Sequence, residues 1–299
     1  LSKTDFLQFS RCAKSFWLLK HKPELYEHGV FSDYLQKIVT EGYEIEAYLE
    51  AHLTAQPDAR EYSYQTVFKT NEGLFAKADC TRNNEDGTIN IYEVKSSTSV
   101  QMSGKKNQVK DATFQKIVAE GAGFKVKNIF IVHLNGHYVR DGAIDPDQLL
   151  TFSDVTAEVD ELISDTRSEI DAALLLLKSA SIDESSCSCL ALTKSNHCDT
   201  FDYFNPTIPK HSIYNLPRIS KKKLCNFVAT ERFDLDDIAL DEVTEKQAPV
   251  LRAAHLKAPI IDHEIIATWF SRVEYPIYFV DYETYASAAP IIDGARPHA

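Results

Sequence analysis

The chain has no apolar run long enough to cross a membrane, and its first residues do not form a signal peptide. It also lacks an excess of positive charge, because 44 acidic against 32 basic residues give a net charge of −12. That balance argues against a generally basic nucleic-acid coat but stays compatible with a local basic groove. We therefore expect a cytoplasmic protein with no membrane partner.

No internal repeat or low-complexity tract interrupts the 299 residues, which suffice for one large domain or two smaller ones. A hydrophobic content of 44% and a charged content of 25% are typical of a globular protein. Six cysteines without an export signal predict thiols or metal ligands instead of disulfides. Cys187, Cys189 and Cys198 cluster in the sequence, whereas Cys12 and Cys80 stand alone.

The stretch from Phe75 to Ser97 reads FAKADCTRNNEDGTINIYEVKSS and predicts two strands around a turn. Glu93 and Lys95 are two positions apart, so their side chains share one face of the second strand. A three-residue EDG loop with left-handed glycine places Asp79 opposite Glu93, with side chains about 5 Å apart. A two-residue loop would set Asp79 opposite Val94 and put the charges on opposite faces.

Two carboxylates this close repel each other unless positive charge lies between them. Mg2+ takes one or two carboxylates while keeping several waters, and it can activate a water and neutralise charge on a phosphodiester. Lys95 would steady the attacking water or the developing phosphorane charge. The alternative is a solvated hairpin face with an ordinary cross-strand ion pair, which the hairpin by itself favours because the pattern is short and common.

Apolar periodicity and turn signals predict the remaining elements. The expected helices cover residues 4–20, 32–53, 111–122, 154–179 and 262–273, and the expected strands cover 62–68, 126–134 and 276–284. Glu46 and Gln115 can face inward from the second and third of these helices. Asn135-Gly136 predicts a two-residue turn into a further strand, HYVR, and 219–240 predicts two short helices with a polar turn.

Together these segments resemble the RecB-like branch of the PD-(D/E)XK nucleases, which includes the CRISPR-associated RecB-like exonucleases and AddB. The opening LSKTDFLQFSRCAKSFWL is similar to the family's N-terminal helix with its first cysteine. Glu46 stands in the first motif, where many relatives have histidine. AKAD with Asp79 resembles the second motif, YEVK with Glu93 and Lys95 the third, and DATFQ with Gln115 the following helix.

This resemblance covers residues 1–205 and implies an α/β fold: a restriction-endonuclease-like PD-(D/E)XK core, a mixed β-sheet flanked by helices, and a C-terminal helical extension. It implies a divalent-metal-dependent nuclease that hydrolyses DNA, as an exonuclease or on single-stranded ends, in DNA processing, repair or defence. Its partners would be single-stranded DNA or duplex ends, and proteins of a DNA-processing complex. A catalytically inactive nucleic-acid-binding or scaffold module is the alternative.

The resemblance also assigns the site residues. The catalytic residues would be Asp79, Glu93, Lys95 and Gln115. Mg2+ or Mn2+ would be held by Glu46, Asp79, Glu93 and the backbone carbonyl of Val94.

The same relatives hold a [4Fe–4S] cluster with one N-terminal and three C-terminal cysteines. The resemblance therefore implies a cluster on Cys12, Cys187, Cys189 and Cys198. The Cys-x-Cys spacing is tight, however, and a phenylalanine stands where the family has its last cysteine. Two alternatives stay open: free thiols after loss of the cluster, and a zinc site that uses His197.

The chain is more similar still to an uncharacterised bacterial family that joins such a nuclease to a DEDD-type, RNase H-like exonuclease domain. The shared segments are HLNGHYVRDG, the aromatic cysteine loop, the KKK helical hairpin and YPIYFVDYET. Residues 206–260 would then form a helix-hairpin-helix-like extension with a linker, and 261–299 the first helix and strand of a truncated exonuclease domain. Asp281 and Glu283 would be its D-x-E pair, without the remaining acids of that site.

Overall fold

The computed structural model of the chain describes residues 1–26, 32–104, 107–282 and 285–299. The chain divides into two compact units. The first comprises Leu1–Ala13, Gly29–Ser179 and Tyr285–Ala299, and the second comprises Lys14–His28 and Ala180–Thr284. The domain boundaries expected after residues 205 and 260 come from the family resemblance, and they stay predictions. Within the described ranges, every helix is too short or too polar to span a bilayer.

Ten α-helices are seen in these ranges: α1 Lys3–Arg11, α2 Ala13–His21, α3 Asp33–Thr54, α4 Gln108–Gly121, α5 Pro146–Leu149, α6 Thr156–Leu177, α7 Phe201–Phe204, α8 Lys221–Ala229, α9 Ala248–Leu256 and α10 His263–Phe270. Short 3-10 helices join them, among them Pro23–Leu25, Ala59–Glu61, Ser188–Ala191, Lys194–Asn196, Ile213–Asn215, Leu235–Asp237 and Leu240–Glu242.

A five-stranded mixed sheet forms the centre of the first unit, in the order β1-β2-β3-β4-β5. Its strands are β1 Tyr62–Lys69, β2 Phe75–Asn83, β3 Ile89–Val94, β4 Val126–Leu134 and β5 Leu150–Asp154. Only β3 and β4 pair in parallel, and the other neighbours are antiparallel. The predicted α/β class is thus confirmed as a mixed sheet flanked by helices.

Two apolar clusters hold the helices of the first unit to the sheet. In one of them, Phe6 of α1 and Phe114 of α4 are fully buried and stack with ring centroids 4.9 Å apart. In the other, Ile45 and Leu49 of α3 pack in a cluster that includes Tyr92 of β3. Burial of such side chains stabilises the fold by about 1.5–3 kcal/mol each.

The hairpin between β2 and β3 has the predicted three-residue loop. The Asn84 N–H donates to the Thr88 carbonyl at 2.9 Å, and Gly87 has a φ of 76°, which favours glycine. The ladder pairs Cys80 with Tyr92, so the next position sets Asp79 opposite Glu93. The predicted register is confirmed, and the alternative with Asp79 opposite Val94 is excluded.

The helix predicted over residues 4–20 is broken at Cys12, whose backbone is extended with φ −159° and ψ 106°. No proline or glycine marks the break; it accompanies the burial of the Cys12 side chain, which is 2% exposed. At the other end of α1, Ser2 and Asp5 exchange hydrogen bonds in a capping box.

The turn at Asn135-Gly136 forms, but the predicted hairpin does not follow it. The His137 N–H donates to Asn135 Oδ1 and the Tyr138 N–H donates to the Asn135 carbonyl, both at 3.0 Å. Residues 137–140 then run on without strand structure. The antiparallel neighbour of β4 is β5, which occupies the edge that the predicted strand would have needed.

In the second unit, the predicted helical hairpin over 219–240 consists of one α-helix, α8, and the 3-10 helix Leu235–Asp237. Helix α10 confirms the helix predicted over 262–273. The strand predicted over 276–284 is wrong for residues 276–282, which are irregular, with Tyr278 81% and Phe279 94% exposed. A strand needs a neighbour for its backbone groups, and no strand of the described ranges lies beside this segment.

Candidate functional site

Asp79 lies where the ladder between β2 and β3 ends. The Val94 N–H donates to Asp79 Oδ2 at 2.8 Å, so the carboxylate is bonded to the backbone of the facing strand. Burial, followed by the negative charge of Glu93, raises the pKa of Asp79 well above its usual range, and the Val94 hydrogen bond only partly opposes that rise. At neutral pH the Asp79 carboxyl therefore tends to hold a proton in the metal-free protein.

Glu93 is 2% exposed and has three hydrogen-bond donors around it. Lys3 Nζ lies 2.8 Å and Lys95 Nζ 2.6 Å from Glu93 Oε1, while Gln115 Nε2 donates to Oε2. Burial alone would raise the pKa of Glu93, but the positive charges of Lys95 and Lys3 outweigh it and hold the pKa below its usual range. Glu93 is consequently an anion in a buried site.

Lys95 bridges Glu93 and Asp111, with its Nζ 2.8 Å from Asp111 Oδ2. Burial alone would lower the pKa of Lys95, but the charges of Glu93 and Asp111 outweigh that effect and raise it. The side chain is therefore an ammonium group near neutral pH. It can act as a cation and hydrogen-bond donor, and in this arrangement it is not a base.

Glu46 reaches the same site from α3. Gln65 Nε2 donates to Glu46 Oε2 at 2.7 Å, and burial, followed by the charge of Glu93, raises the pKa of Glu46. Gln65 has a φ of 54°, a left-handed conformation that is costly for a residue other than glycine, and it stands opposite Asp79 in the β1–β2 register. Local strain therefore lies at Gln65, the residue whose side chain binds Glu46.

The structure thus brings together five predicted residues through charge interactions and through the hydrogen bond of Gln115 to Glu93: Glu46, Asp79, Glu93, Lys95 and Gln115. Their catalytic and metal-binding roles stay predictions. The three carboxylates are not gathered as tightly as metal ligands: within the described ranges, only cysteines form such a close group of three or more candidate ligands. Val94 contributes its N–H to Asp79. A metal contact of the Val94 carbonyl stays a prediction.

Sequence reasoning missed three residues of this site: Lys3, Asp111 and Gln65. Asp111 lies four residues before Gln115 on α4, so helical spacing alone would have placed both on one face. Lys3 and Gln65 carry no comparable signal, because each reaches the site through tertiary contacts.

The second predicted acid pair, Asp281 and Glu283, lies elsewhere in the chain. Asp281 is in the irregular exposed segment of the second unit, and Glu283 lies outside the described residues.

A cleft of about 600 Å³ opens beside Lys95 in the first unit. Polar groups line much of it, including Ser96–Ser99, Gln101, Asn107 and Gln108, together with Arg11. His298 lies at the same cleft, with Nε2 2.7 Å from the Ser96 carbonyl oxygen. The candidate site therefore adjoins a groove of mixed polar and apolar lining, where the cations Arg11 and Lys95 and the acid Asp111 lie.

A second group of candidate ligands consists of four cysteines. The sulfur atoms of Cys12, Cys187, Cys189 and Cys198 all lie within 4.8 Å of one another, and three of these residues are buried, with Cys198 half-buried. Four sulfur atoms this close are able to bind a metal ion. The four cysteines are the ones that the sequence predicted.

His197 is not part of this group of ligands. Its Nε2 lies 3.0 Å from the Leu192 carbonyl oxygen, and its ring stacks on Phe201 with centroids 3.5 Å apart. The sulfur atoms of Cys187 and Cys198 lie 3.9 Å apart, and Asn205 Nδ2 donates to Cys187 Sγ at 3.5 Å. A metal ion here would therefore be held by thiolates, and the zinc site with His197 is not formed.

Comparison with known proteins gives little further guidance. No protein-family model and no curated protein matches the chain. Among solved structures, one described as the crystal structure of SSO0001 is 15% identical in sequence and has a TM-score of 0.35. The match covers 66% of this chain and 87% of the SSO0001 chain. At that TM-score the likeness carries no argument about fold or function.

Proposed function

We propose that the first unit is a divalent-metal-dependent nuclease that hydrolyses DNA phosphodiester bonds, at ends or in single strands, on a restriction-endonuclease-like PD-(D/E)XK core. The observation that carries this proposal is that four side chains from different elements meet in one place. Asp79 comes from β2, Glu93 from β3, Lys95 from the residue that follows β3, and Gln115 from α4. Acids, a lysine and an amide in one buried group are what such chemistry needs. A solvated hairpin face would leave Glu93 exposed, and it is buried.

We infer a hard divalent cation at this site from the chemistry of its oxygen atoms. Asp111 Oδ1 and Gln115 Oε1 are buried, and neither accepts a hydrogen bond. An unpaired buried acceptor costs about 1–3 kcal/mol, so these atoms call for a cation or a donor. With the Asp79, Glu93 and Glu46 carboxylates, Gln115 Oε1 would give an all-oxygen ligand set of the kind that Mg2+ and Mn2+ prefer, once an ion draws these groups closer together than they lie here. Asp111 Oδ1 instead lies 3.8 Å from Lys3 Nζ.

Each residue has a role that follows from its contacts. Asp79, Glu93 and Glu46 would hold the metal ion, which when bound supplies an acidified water and neutralises phosphate charge. Lys95 donates to Glu93 and Asp111, and its remaining ammonium proton would serve an incoming phosphate oxygen or the attacking water. Gln115 fixes Glu93 by its hydrogen bond to Oε2. The cleft beside Lys95 offers Arg11 and hydroxyl groups to the DNA backbone.

The direct test is an assay of the purified protein on end-labelled single-stranded and duplex DNA, with and without Mn2+. We expect cleavage only with the metal ion, and faster cleavage of ends or single strands than of closed duplex. Labelled RNA of the same sequence serves as the substrate control. Absence of cleavage on every DNA substrate at saturating Mn2+ would contradict the proposal.

A second candidate function is a nucleic-acid-binding or scaffold module that keeps this fold without turnover. It is favoured by one observation: Lys3, Lys95 and Gln115 already satisfy Glu93, and the carboxylates are not drawn together around one point. Such a module would bind DNA without binding Mn2+ tightly. Calorimetric titration with Mn2+ separates the two candidates.

The DNA-processing partners and the cytoplasmic location also stay predictions.

For the cysteine cluster we propose a [4Fe–4S] cofactor, since four thiolates are its ligand set. A single zinc ion is the second candidate, because Zn–S bonds of about 2.3 Å in a tetrahedron set sulfur atoms roughly 3.8 Å apart. The 3.9 Å between Cys187 and Cys198 matches that spacing. Anaerobically purified protein separates them: the iron–sulfur cluster absorbs broadly near about 400 nm, and zinc protein is colourless.

We expect the affinity for Mn2+ to depend on pH through Asp79. Its carboxyl has a pKa raised to about 8, so below that pH the metal ion must displace a proton. Affinity should rise about tenfold per pH unit up to about pH 8 and then level off. Calorimetry in two buffers of different protonation enthalpy would show about one proton released per ion. A pH-independent affinity would contradict this assignment.

A further inference from the structure

Lys3 is the first residue of α1, and the fold fixes its backbone on both sides. Ser2, the residue before it, caps α1 and forms a β-bridge with Phe75 of β2. Three residues after Lys3, the fully buried Phe6 stacks on Phe114 of α4. The position of the Lys3 ammonium group therefore follows from the packing of the first unit, and not from a freely moving side chain.

This ammonium group takes part in a balanced set of charges. Lys3 Nζ lies 2.8 Å from Glu93 Oε1 and 3.8 Å from Asp111 Oδ1. Lys95 Nζ lies 2.6 Å from Glu93 Oε1 and 2.8 Å from Asp111 Oδ2. Two carboxylates thus face two ammonium groups in a largely buried space, where salt screens them little. Removing one ammonium group would leave two carboxylates with a single cation.

We propose that Lys3 is a built-in cation of this site, its ammonium group taking the place between Glu93 and Asp111 that a second divalent ion would otherwise fill. The inference rests on the nuclease function proposed above, because it concerns the same site. Two-metal nucleases hold their ions about 3.5–4 Å apart. Here one of those positions belongs to Lys3, so the site binds one ion, on the side of Asp79 and Glu46.

The geometry of Asp111 supports this assignment. Its Oδ2 accepts a hydrogen bond from Lys95, whereas its buried Oδ1 accepts none and faces Lys3 at 3.8 Å. An ammonium group at that distance balances the charge without a direct hydrogen bond. With Lys3 removed, Asp111 Oδ1 loses its ammonium neighbour and Glu93 Oε1 keeps Lys95, so two carboxylates are left with one cation, an arrangement that attracts a divalent ion.

The test is the number of Mn2+ ions bound, measured by calorimetry and by the electron paramagnetic resonance signal of free Mn2+. We expect one ion for the wild-type protein and for Lys3→Arg, and two ions for Lys3→Met. Lys127→Met is the matched control, because Lys127 pairs with Asp86 on an exposed face, and it should bind one ion. The double variant Lys3→Met/Asp111→Asn loses one positive and one negative charge together. We therefore expect it to bind one Mn2+ ion, as the wild-type protein does.

Two outcomes would overturn the inference: two ions in the wild-type protein, or one ion in a folded Lys3→Met protein. If Lys3→Met does not fold by circular dichroism, Lys3→Gln takes its place with the same two expected ions, and one ion in the folded variant overturns the inference. Cleavage gives the separate readout: Lys3→Met should lose about a hundredfold in rate at low Mn2+ and recover part of it at high Mn2+. A shift from one ion to two without DNA cleavage by any variant would support the role of Lys3 and contradict the nuclease function.

Discussion

Replacing Lys95 with alanine is expected to lower Mn2+-dependent DNA cleavage about a thousandfold. Lys95 carries the ammonium group nearest the cleft, and it bridges Glu93 and Asp111. Removing a positioned donor to a developing negative charge costs about 100- to 1000-fold in rate. Losing the bridge also frees Glu93 and Asp111, so the effect should fall at the upper end of that range.

The measurement is a single-turnover assay with excess protein over labelled DNA, which separates the chemical step from binding and release. Lys110→Ala is a useful control because Lys110 forms an ion pair with Glu169 on neighbouring helices and does not contact Glu93. It should retain cleavage within a few-fold. Equal losses in the two variants would show that Lys95 acts only through general charge.

Replacing Cys189 with serine is expected to remove the cofactor of the cysteine cluster and to destabilise the second unit. Cys189 is 1% exposed, and its sulfur belongs to the group of four. Serine is a far weaker ligand for iron or zinc than a thiolate, and ligand binding contributes to folding free energy. We expect a loss on the order of 5 kcal/mol in the free energy of unfolding, together with loss of the bound metal.

Metal content, the visible spectrum and thermal unfolding of the wild-type and Cys189→Ser proteins provide the measurement. Cys225→Ser is the matched control: Cys225 is a half-buried thiol on α8 that does not belong to the group of four. It should keep the full metal content and unfold within about 1 kcal/mol of the wild type. Identical metal content in both variants would show that the cluster does not bind a cofactor.

The register of the β2–β3 hairpin could be predicted because it is a local property. The NEDG turn selects a three-residue loop, Gly87 adopts the left-handed conformation, and counting along both strands then sets Asp79 opposite Glu93. Helical spacing placed Glu46 and Gln115 on inward faces by the same kind of counting. The helical and strand periods and the residues of the turn determine which way these side chains face, independently of the rest of the fold.

Lys3 could not be predicted in that way, and helical spacing places Asp111 on the face of Gln115 without assigning it a role. Lys3 meets Glu93 across 90 positions of sequence, and the contact exists only because α1 is docked on β2 and α4. Asp111 reads as an ordinary first-turn acid of α4, which would be favourable there in any helix. Its role emerges only when Lys95 is placed opposite it.

The segment 276–282 shows where periodicity misleads. An apolar run with β-branched and aromatic residues predicts a buried strand, since burial is what such residues need. In this chain the run is exposed, and it pairs with no strand of the described ranges. Sequence detects the tendency to be buried, but a strand also requires a partner for its backbone groups. At Cys12, likewise, a continuous helical pattern is interrupted where the side chain is buried.

A Mn2+ titration tests whether Asp79 and Glu93 form a metal-dependent catalytic site. Cleavage of end-labelled single-stranded DNA is followed during this titration for the wild-type protein and for Asp79→Ala. We expect metal-dependent cleavage by the wild type and a loss of about a thousandfold or more in Asp79→Ala, which should remain folded. Equal metal-dependent cleavage by the two proteins, or its absence in the wild type, would contradict a catalytic site built on Asp79 and Glu93.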